Sequence, residues 1–499
     1  MSADILTPPA ADGKDLKKNI FSGLYWSAVG RVLQQTIQFG LSVGLARLLS
    51  PGDFGTMTMV GVFTGFAAML ADVGFSGALI QKESVKEIHF NTVFWTNVAL
   101  SLSLTLLVVL LAPWLAAFYK DPALIPIFRC IAFNFTIGSL GAVHGALLQK
   151  RMQFKAITQV GTYGLLLSGL TGLTLAWFGA GVWSLVAQSL LSTSLIVILR
   201  WNACRWLPKF EYCFSALRYL WSYSGSLYGF NFMNYWARSA DALIIGKVYG
   251  AESLGFYNRA YALMCLPISQ VNSVIAQVVF PAFASIQNDK EKVKRIYLRA
   301  MGMTAFIMFP VMMGLSVTAR PFIETVYGHK WLSVAPILQI LALVGMLQTI
   351  GNTVGWLFTS QGETGLMLKW GAAYSVSTLL SFFVGVEFGS VKAIAWCYAV
   401  VNIIFIYPEL NSACAIVGMK AIEVLAKISG SFIISLAMCL AVSVVNGLLP
   451  LSFQPWLRLG TLVLAGTVFY LGTSIAFRSS ALEDIRMMVM RKRGGGQST

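Results

Sequence analysis

The chain has 499 residues, 57% of them hydrophobic and 11% charged, with a mean hydropathy of +0.71 and a formal net charge of +16. A soluble domain carries roughly a quarter charged residues, and a soluble core could not hide this much apolar surface, so the composition excludes a soluble protein and leaves a polytopic membrane protein. Helices are the expected spanning elements, because the apolar runs are about twenty residues long and lack the ten-residue alternation of an outer-membrane barrel.

In chain order, the first twenty residues, MSADILTPPAADGKDLKKNI, lack the basic start, apolar centre and cleavage site of a secretory signal. They are expected to remain as a polar tail. The apolar runs that follow predict about fourteen spans, roughly 23-48, 54-79, 90-118, 124-149, 157-178, 182-200, 223-248, 254-286, 294-318, 333-359, 364-387, 391-417, 422-446 and 456-477. With these spans, twenty-five of the thirty-six Lys and Arg fall on the side of the N-terminus and seven on the other. The positive-inside rule then places both termini in the cytoplasm. The net charge is thereby a topology signal, and nucleic-acid binding is not needed to explain it.

The remaining four arginines, Arg31, Arg129, Arg238 and Arg259, lie inside spans. An intramembrane arginine costs about 2.5 to 3.5 kcal/mol on insertion scales, so it lines a wet cavity or bundle interior, unless it snorkels from a helix end. Both readings stand for Arg31, about 12 Å from the start of its span at the helical rise, and for Arg129 and Arg259 near outer ends. Arg238 is deepest, and Asp241 at i+3 shares its helical face. The pair either locks helix packing or is a gate, in which an incoming anion competes with Asp241 for the guanidinium. Asp72 could take a proton or sodium ion, or pair with Arg31. Glu409, next to Pro408, is a candidate ion ligand. Gln34, Asn231 and Asn234 add polar groups suited to a headgroup path. Seven scattered cysteines without a C-x-x-C pair, and three widely separated histidines, predict no metal site and no cofactor. Trp26, Trp114, Trp183, Trp201, Trp221, Trp331 and Trp456 stand near span ends as interfacial anchors do.

An internal repeat appears at an offset of 200: LARLLSPGDFG (45-55) lies over IGKVYGAESLG (245-255), with Arg47 over Lys247 and Gly55 over Gly255. The predicted fold is all-α and integral to the membrane: two parallel, pseudo-symmetric six-helix lobes around a central cavity, plus two extra C-terminal helices. The expected organisation is a tail (1-22), an N-lobe (23-200), a basic linker (201-222), a C-lobe (223-417), helices 13 and 14 (418-478) and a second tail (479-499).

The run GLYWSAVGRVLQQTIQFGLSVGLARLLSPGDFGTMTMVGVF, its second-half copy ADALIIGKVYGAESLGFYNRAYAL, the span count and the duplication resemble the Wzx-type polysaccharide flippases. Their superfamily, called MOP, also holds the MATE exporters and the lipid II flippase MurJ. The resemblance implies alternating-access movement of an undecaprenyl-pyrophosphate-linked oligosaccharide across a bacterial inner membrane, for exopolysaccharide, capsule or lipopolysaccharide. Polysaccharide polymerase and export proteins are the implied partners. By the same resemblance Arg31 and Arg259 would receive the pyrophosphate, and Arg47 is a further position carried over from the motif; Arg238 joins them as a pyrophosphate ligand on the strength of its depth in the span. The rival readings are an ion-coupled antiporter of the MATE type, which would need a carboxylate-rich cavity, and a membrane-bound glycosyltransferase or polymerase, which would need a catalytic loop with paired carboxylates. No G-x-x-x-x-G-K-[ST] pattern occurs, so the chain is not expected to hydrolyse ATP.

Overall fold

A computed structural model describes residues 13-72, 74-82, 85-285, 289-450, 452-477 and 482. These residues are overwhelmingly helical, in the order α1 (Gly13–Leu48), α2 (Pro51–Asp72), α3 (Phe75–Gln81), α4 (Glu87–Tyr119), α5 (Leu124–Lys150), α6 (Phe154–Trp177), α7 (Val182–Cys204), α8 (Phe214–Ser285), α9 (Lys290–Val317), α10 (Ala319–Val326), α11 (Val334–Ser360), α12 (Thr364–Glu387), α13 (Val391–Ile416), α14 (Ala421–Leu448) and α15 (Pro455–Ala476). Among the described residues, ten helices are long and apolar enough to cross a membrane. With α1, α12 and the two arms of α8 they account for the fourteen predicted spans.

Local chemistry sets the boundaries. Pro51 opens α2, where its missing N–H costs nothing, and the Asp53 carboxylate accepts hydrogen bonds from the Ser50 amide (2.9 Å) and hydroxyl (2.6 Å). Ser390 caps α13 through the Ala393 amide, and Asp289 caps α9 through the Lys292 amide. Asp289 lies outside the spans, and its hydrogen bonds to Lys292 hold the carboxyl below the usual carboxylate range. Three spans differ from the sequence expectation. The predicted second span is two helices, because Gly74 adopts φ 78° between α2 and α3. The predicted seventh and eighth spans run on as α8, which breaks at Gly250 (φ 79°), a conformation that glycine adopts without steric cost.

By contact, the chain divides into Met1–Gly255 and Phe256–Thr499. In the first unit α4 packs on α5, α6 on α1 and α7, and α2 on α5. A cluster of Phe75, Leu79, Phe90, Phe94, Leu147 and Trp206 forms one part of its core. His144 belongs to that core rather than to a site: its ring lies 4.5 Å from that of Trp201, and its Nε2 is 3.0 Å from the Trp206 carbonyl. The first arm of α8 joins this unit. Tyr235 donates its hydroxyl hydrogen to the Val62 carbonyl at 2.5 Å, entering the notch made by Gly65 on α2, and the Trp236 ring packs at a tilt against Phe66, centroids 4.9 Å apart.

The repeat is visible in the packing. Leu45 and its counterpart Ile245 are both buried, and the turns that follow them meet. A Cβ at Gly55 would overlap the Ala251 carbonyl, and a Cβ at Gly255 would overlap that of Pro51. In the second unit α9 packs on α11 and α14, α13 on α11 and α12, and α15 on α14. Trp114 and Trp456 are exposed near helix ends, as interfacial anchors are. Trp331 is not: it is fully buried, for a reason that lies with Arg259.

Candidate functional site

Helices that pack across glycines leave notches, and in the first unit these notches shape a cleft of about 590 Å³. Gly30 on α1 faces Thr158 on α6, Gly161 on α6 faces the Gln34 amide, and Gly145 on α5 faces the Arg200 guanidinium. The Thr158 hydroxyl donates to the Trp26 carbonyl (3.1 Å), while Gln34 Nε2 donates to the Thr158 carbonyl (3.2 Å) and the Thr162 hydroxyl (3.3 Å). These bonds tie α1 to α6 and leave Arg31, one turn before Gln34, exposed in the cleft. Opposite comes Arg200, whose Nη1 donates to the Gly141 carbonyl at 3.3 Å. Ser27, Ser76 and Gln149 complete the polar lining. Two guanidiniums on one cleft, with no acidic residue among the described lining residues, form an anion-receiving surface whose planar donors suit phosphate oxygens.

Ala142 on α5 lines this cleft and also a second chamber of about 450 Å³. The chamber has Thr64 on α2, Asn97 on α4, Asn134 and Ser139 on α5, and Ser189 and Thr193 on α7. None of its lining residues is charged. Asn134 Nδ2 donates to the Ser189 hydroxyl (3.1 Å), and the Ser101 hydroxyl donates to that of Ser139 (2.9 Å). The Asn134 Oδ1 is buried without a hydrogen-bond partner, so an acceptor stands ready in the chamber wall. From Asn134 to Ala142 is about 12 Å along α5 at the helical rise. A cationic cleft and a neutral compartment of amides and hydroxyls therefore lie side by side, with Ala142 in both walls.

The predicted residues are distributed as follows. Arg31 and Gln34 share the cleft. Arg238 is exposed on the first arm of α8 and lines neither compartment. Asp241 is buried, and its carboxylate accepts the Ala242 amide at 2.7 Å. Asp72, Asn231 and Asn234 lie outside the residues whose side chains are described. Glu409 is half-buried on α13. Arg259, in the second unit, is held in an aromatic box, its guanidinium 5.2 Å from the ring centres of both Tyr327 and Trp331. Such stacking is worth more the drier the site, which is why Trp331 is buried rather than interfacial. Tyr327 sits outside the spans; burial pushes its hydroxyl up, while the adjacent Arg259 charge and hydrogen bond pull it down. Tyr327→Phe removes that bond and leaves a buried guanidinium short of an acceptor. The expected loss is about 1.5 to 3 kcal/mol of stability, read as a lower midpoint in thermal unfolding of the purified protein in detergent.

The sequence reading missed Arg200 and the chamber. In sequence Arg200 ends an apolar run and so resembles a loop charge. The available signal was the pair Gly141 and Gly145, four residues apart, which opens a notch on one face of α5. The polar positions on α4, α5 and α7 are single residues inside apolar runs, and only packing brings them together. A second network of this kind lies in the Phe256–Thr499 unit, where Gln348 Nε2 donates to the Tyr398 hydroxyl (2.5 Å) and the Tyr374 hydroxyl to Asn402 Oδ1 (3.1 Å).

Known proteins bear on this geometry. Over 91% of this chain and 99% of its own, the lipid II flippase MurJ in an inward closed conformation superposes with a TM-score of 0.68 at 14% identity. An inward-facing multidrug resistance MATE family transporter of the MOP superfamily gives 0.60 over 80% of this chain and 95% of its own, also at 14%. At these identities the likeness establishes the fold. In sequence, the chain is 28% identical to the teichuronic acid biosynthesis protein TuaB of Bacillus subtilis, covering 91% of this chain and 95% of TuaB. It is 26% identical to the lipopolysaccharide biosynthesis protein WzxC of Escherichia coli, over 78% of this chain and 80% of WzxC. It is 27% identical to the succinoglycan biosynthesis transport protein ExoT of Rhizobium meliloti, over 78% of each. Residues 44–336, more than half of the chain, match the family described as polysaccharide biosynthesis protein, and the chain belongs to that family.

Proposed function

We propose that the protein is a flippase that carries an undecaprenyl-pyrophosphate-linked oligosaccharide across the bacterial inner membrane by alternating access. The single observation that carries this reading is the adjoining pair of compartments, a two-arginine cleft and an uncharged amide and hydroxyl chamber that share Ala142 in their walls. A diphosphate matches the first and sugar hydroxyls match the second. The names of TuaB, WzxC and ExoT support a polysaccharide cargo, and the charge distribution supports cytoplasmic termini. Arg31 receives the pyrophosphate, with Arg238 and Arg259 acting at other stages of the cycle. Asp72, Asp241 and Glu409 are the carboxylates open to ion coupling, and Gln34, Asn231 and Asn234 the polar groups open to the headgroup. Polymerase and export proteins act downstream of the flipped product. A MATE-type cation antiporter is disfavoured, since among the described residues no Asp or Glu lines either compartment.

The test is to delete the protein in a strain without a substituting transporter and follow lipid-linked sugar with an impermeant lectin or periodate label. Accumulation in the inner leaflet is expected. Outer-leaflet sugar appearing at the normal rate would sink the proposal.

A further inference from the structure

Between α7 and α8, residues 205–213 form an extended strap rather than a helix. It is pinned along the start of α4. The Asn91 side chain accepts the Lys209 amide and donates to Glu211 Oε2, both at 3.1 Å. The Trp95 indole N–H donates to the Lys209 carbonyl at 2.8 Å, the Thr92 hydroxyl accepts the Cys213 amide at 3.1 Å, and Lys209 Nζ meets Glu87 at 3.0 Å. These bonds hold the strap's backbone against α4. Trp206 points inward and is buried, yet Leu207 is 70% exposed, Phe210 90% and Phe214 70%. Phe210 stacks on Trp95 at 4.6 Å, away from the core. A rigid, outward row of large apolar groups is unstable against water.

Three features say what covers it. The strap lies at the helix ends where Lys and Arg concentrate, and Arg205 and Arg218 flank it with exposed side chains. Beside it a groove of about 640 Å³ runs along α4, lined by Trp95, Thr96, Ala99, Leu100, Ser103 and Tyr212. The stripe continues through Leu106, Leu107 and Leu110, all exposed on the apolar part of the same helix, so the groove opens onto hydrocarbon. We propose that the strap and groove form a binding site for an anionic phospholipid of the basic-side leaflet. One acyl chain lies along α4, Phe210 and Leu207 enter the interface, and Arg205 and Arg218 meet the headgroup phosphate. Aromatic and basic groups together at this depth are the usual interfacial combination.

The test uses full-length protein purified in detergent, with lipid retention read by native mass spectrometry against phosphatidylglycerol and phosphatidylcholine of identical chains. The wild type is expected to retain phosphatidylglycerol in preference. Arg205→Gln with Arg218→Gln is expected to lower that preference about five-fold per charge removed while leaving phosphatidylcholine retention unchanged. Phe210→Ser with Tyr212→Ser is expected to lower retention of both lipids. The Arg variant keeps its lipid-free melting midpoint because both side chains are exposed, which separates lipid loss from misfolding. Equal retention of the two lipids by the wild type, or an Arg variant with wild-type preference, would overturn the proposal. So would loss of an oligomer rather than of lipid in the Phe210 variant, which would assign the face to a second copy of the chain, or retention unaffected by either variant, as a soluble protein partner would give.

Discussion

Alanine at Gly255 is expected to leave the membrane with little folded protein. The added methyl would fall on the Pro51 carbonyl and crowd the Gly55 amide, and these are backbone atoms that cannot rotate away. Overpacking a side-chain core costs about 1 to 3 kcal/mol, and a backbone overlap lies at or beyond the top of that range. Against a total stability of roughly 5 to 15 kcal/mol, the change removes a large share. Gly55→Ala should behave alike, since its methyl would meet the Ala251 carbonyl. The measurement is the monodisperse peak of a fluorescent fusion in size-exclusion chromatography. Gly430→Ala and Gly472→Ala, where nothing lies within 4 Å of the added carbon, serve as controls at wild-type level. A Gly255→Ala protein with a wild-type peak would mean that the two turns do not meet.

The second large effect concerns transport rather than folding. Arg31→Ala combined with Arg200→Ala is expected to slow flipping on the order of a hundred-fold or more, because two charge-assisted hydrogen bonds to phosphate are each worth about 1.5 to 3 kcal/mol. Arg31 is exposed and Arg200 makes a single hydrogen bond to Gly141, so the protein should still insert at near-normal amounts. Flipping is read in proteoliposomes containing lipid-linked sugar, by access of an external label. Lysine at both positions keeps the charge but not the planar fork, and is expected to restore part of the rate. Full transport by the double alanine variant would remove the cleft from the substrate path.

Much of this molecule could be read without coordinates. The hydrocarbon layer demands long apolar helices, so composition and run length determined an all-α membrane fold. The 200-residue offset aligned Gly55 with Gly255 before their contact was visible, because a glycine required by close backbone approach is retained in both copies of a duplicated turn. Arg31 could be flagged because charge inside an apolar run is costly wherever it points. Where it points was another matter. Arg259 and Arg31 look alike in sequence, yet one is boxed by Tyr327 and Trp331 and the other is open in a cleft. Arg200 seemed a loop charge until the notch at Gly141 and Gly145 turned it inward. The amide and hydroxyl chamber is assembled from four helices, each of which contributes only one or two polar residues. Sequence fixes which helices cross the membrane, since that depends on each segment's own transfer energy; the tertiary structure alone decides which side chains meet, since that depends on how neighbouring helices rotate to fill one another's gaps.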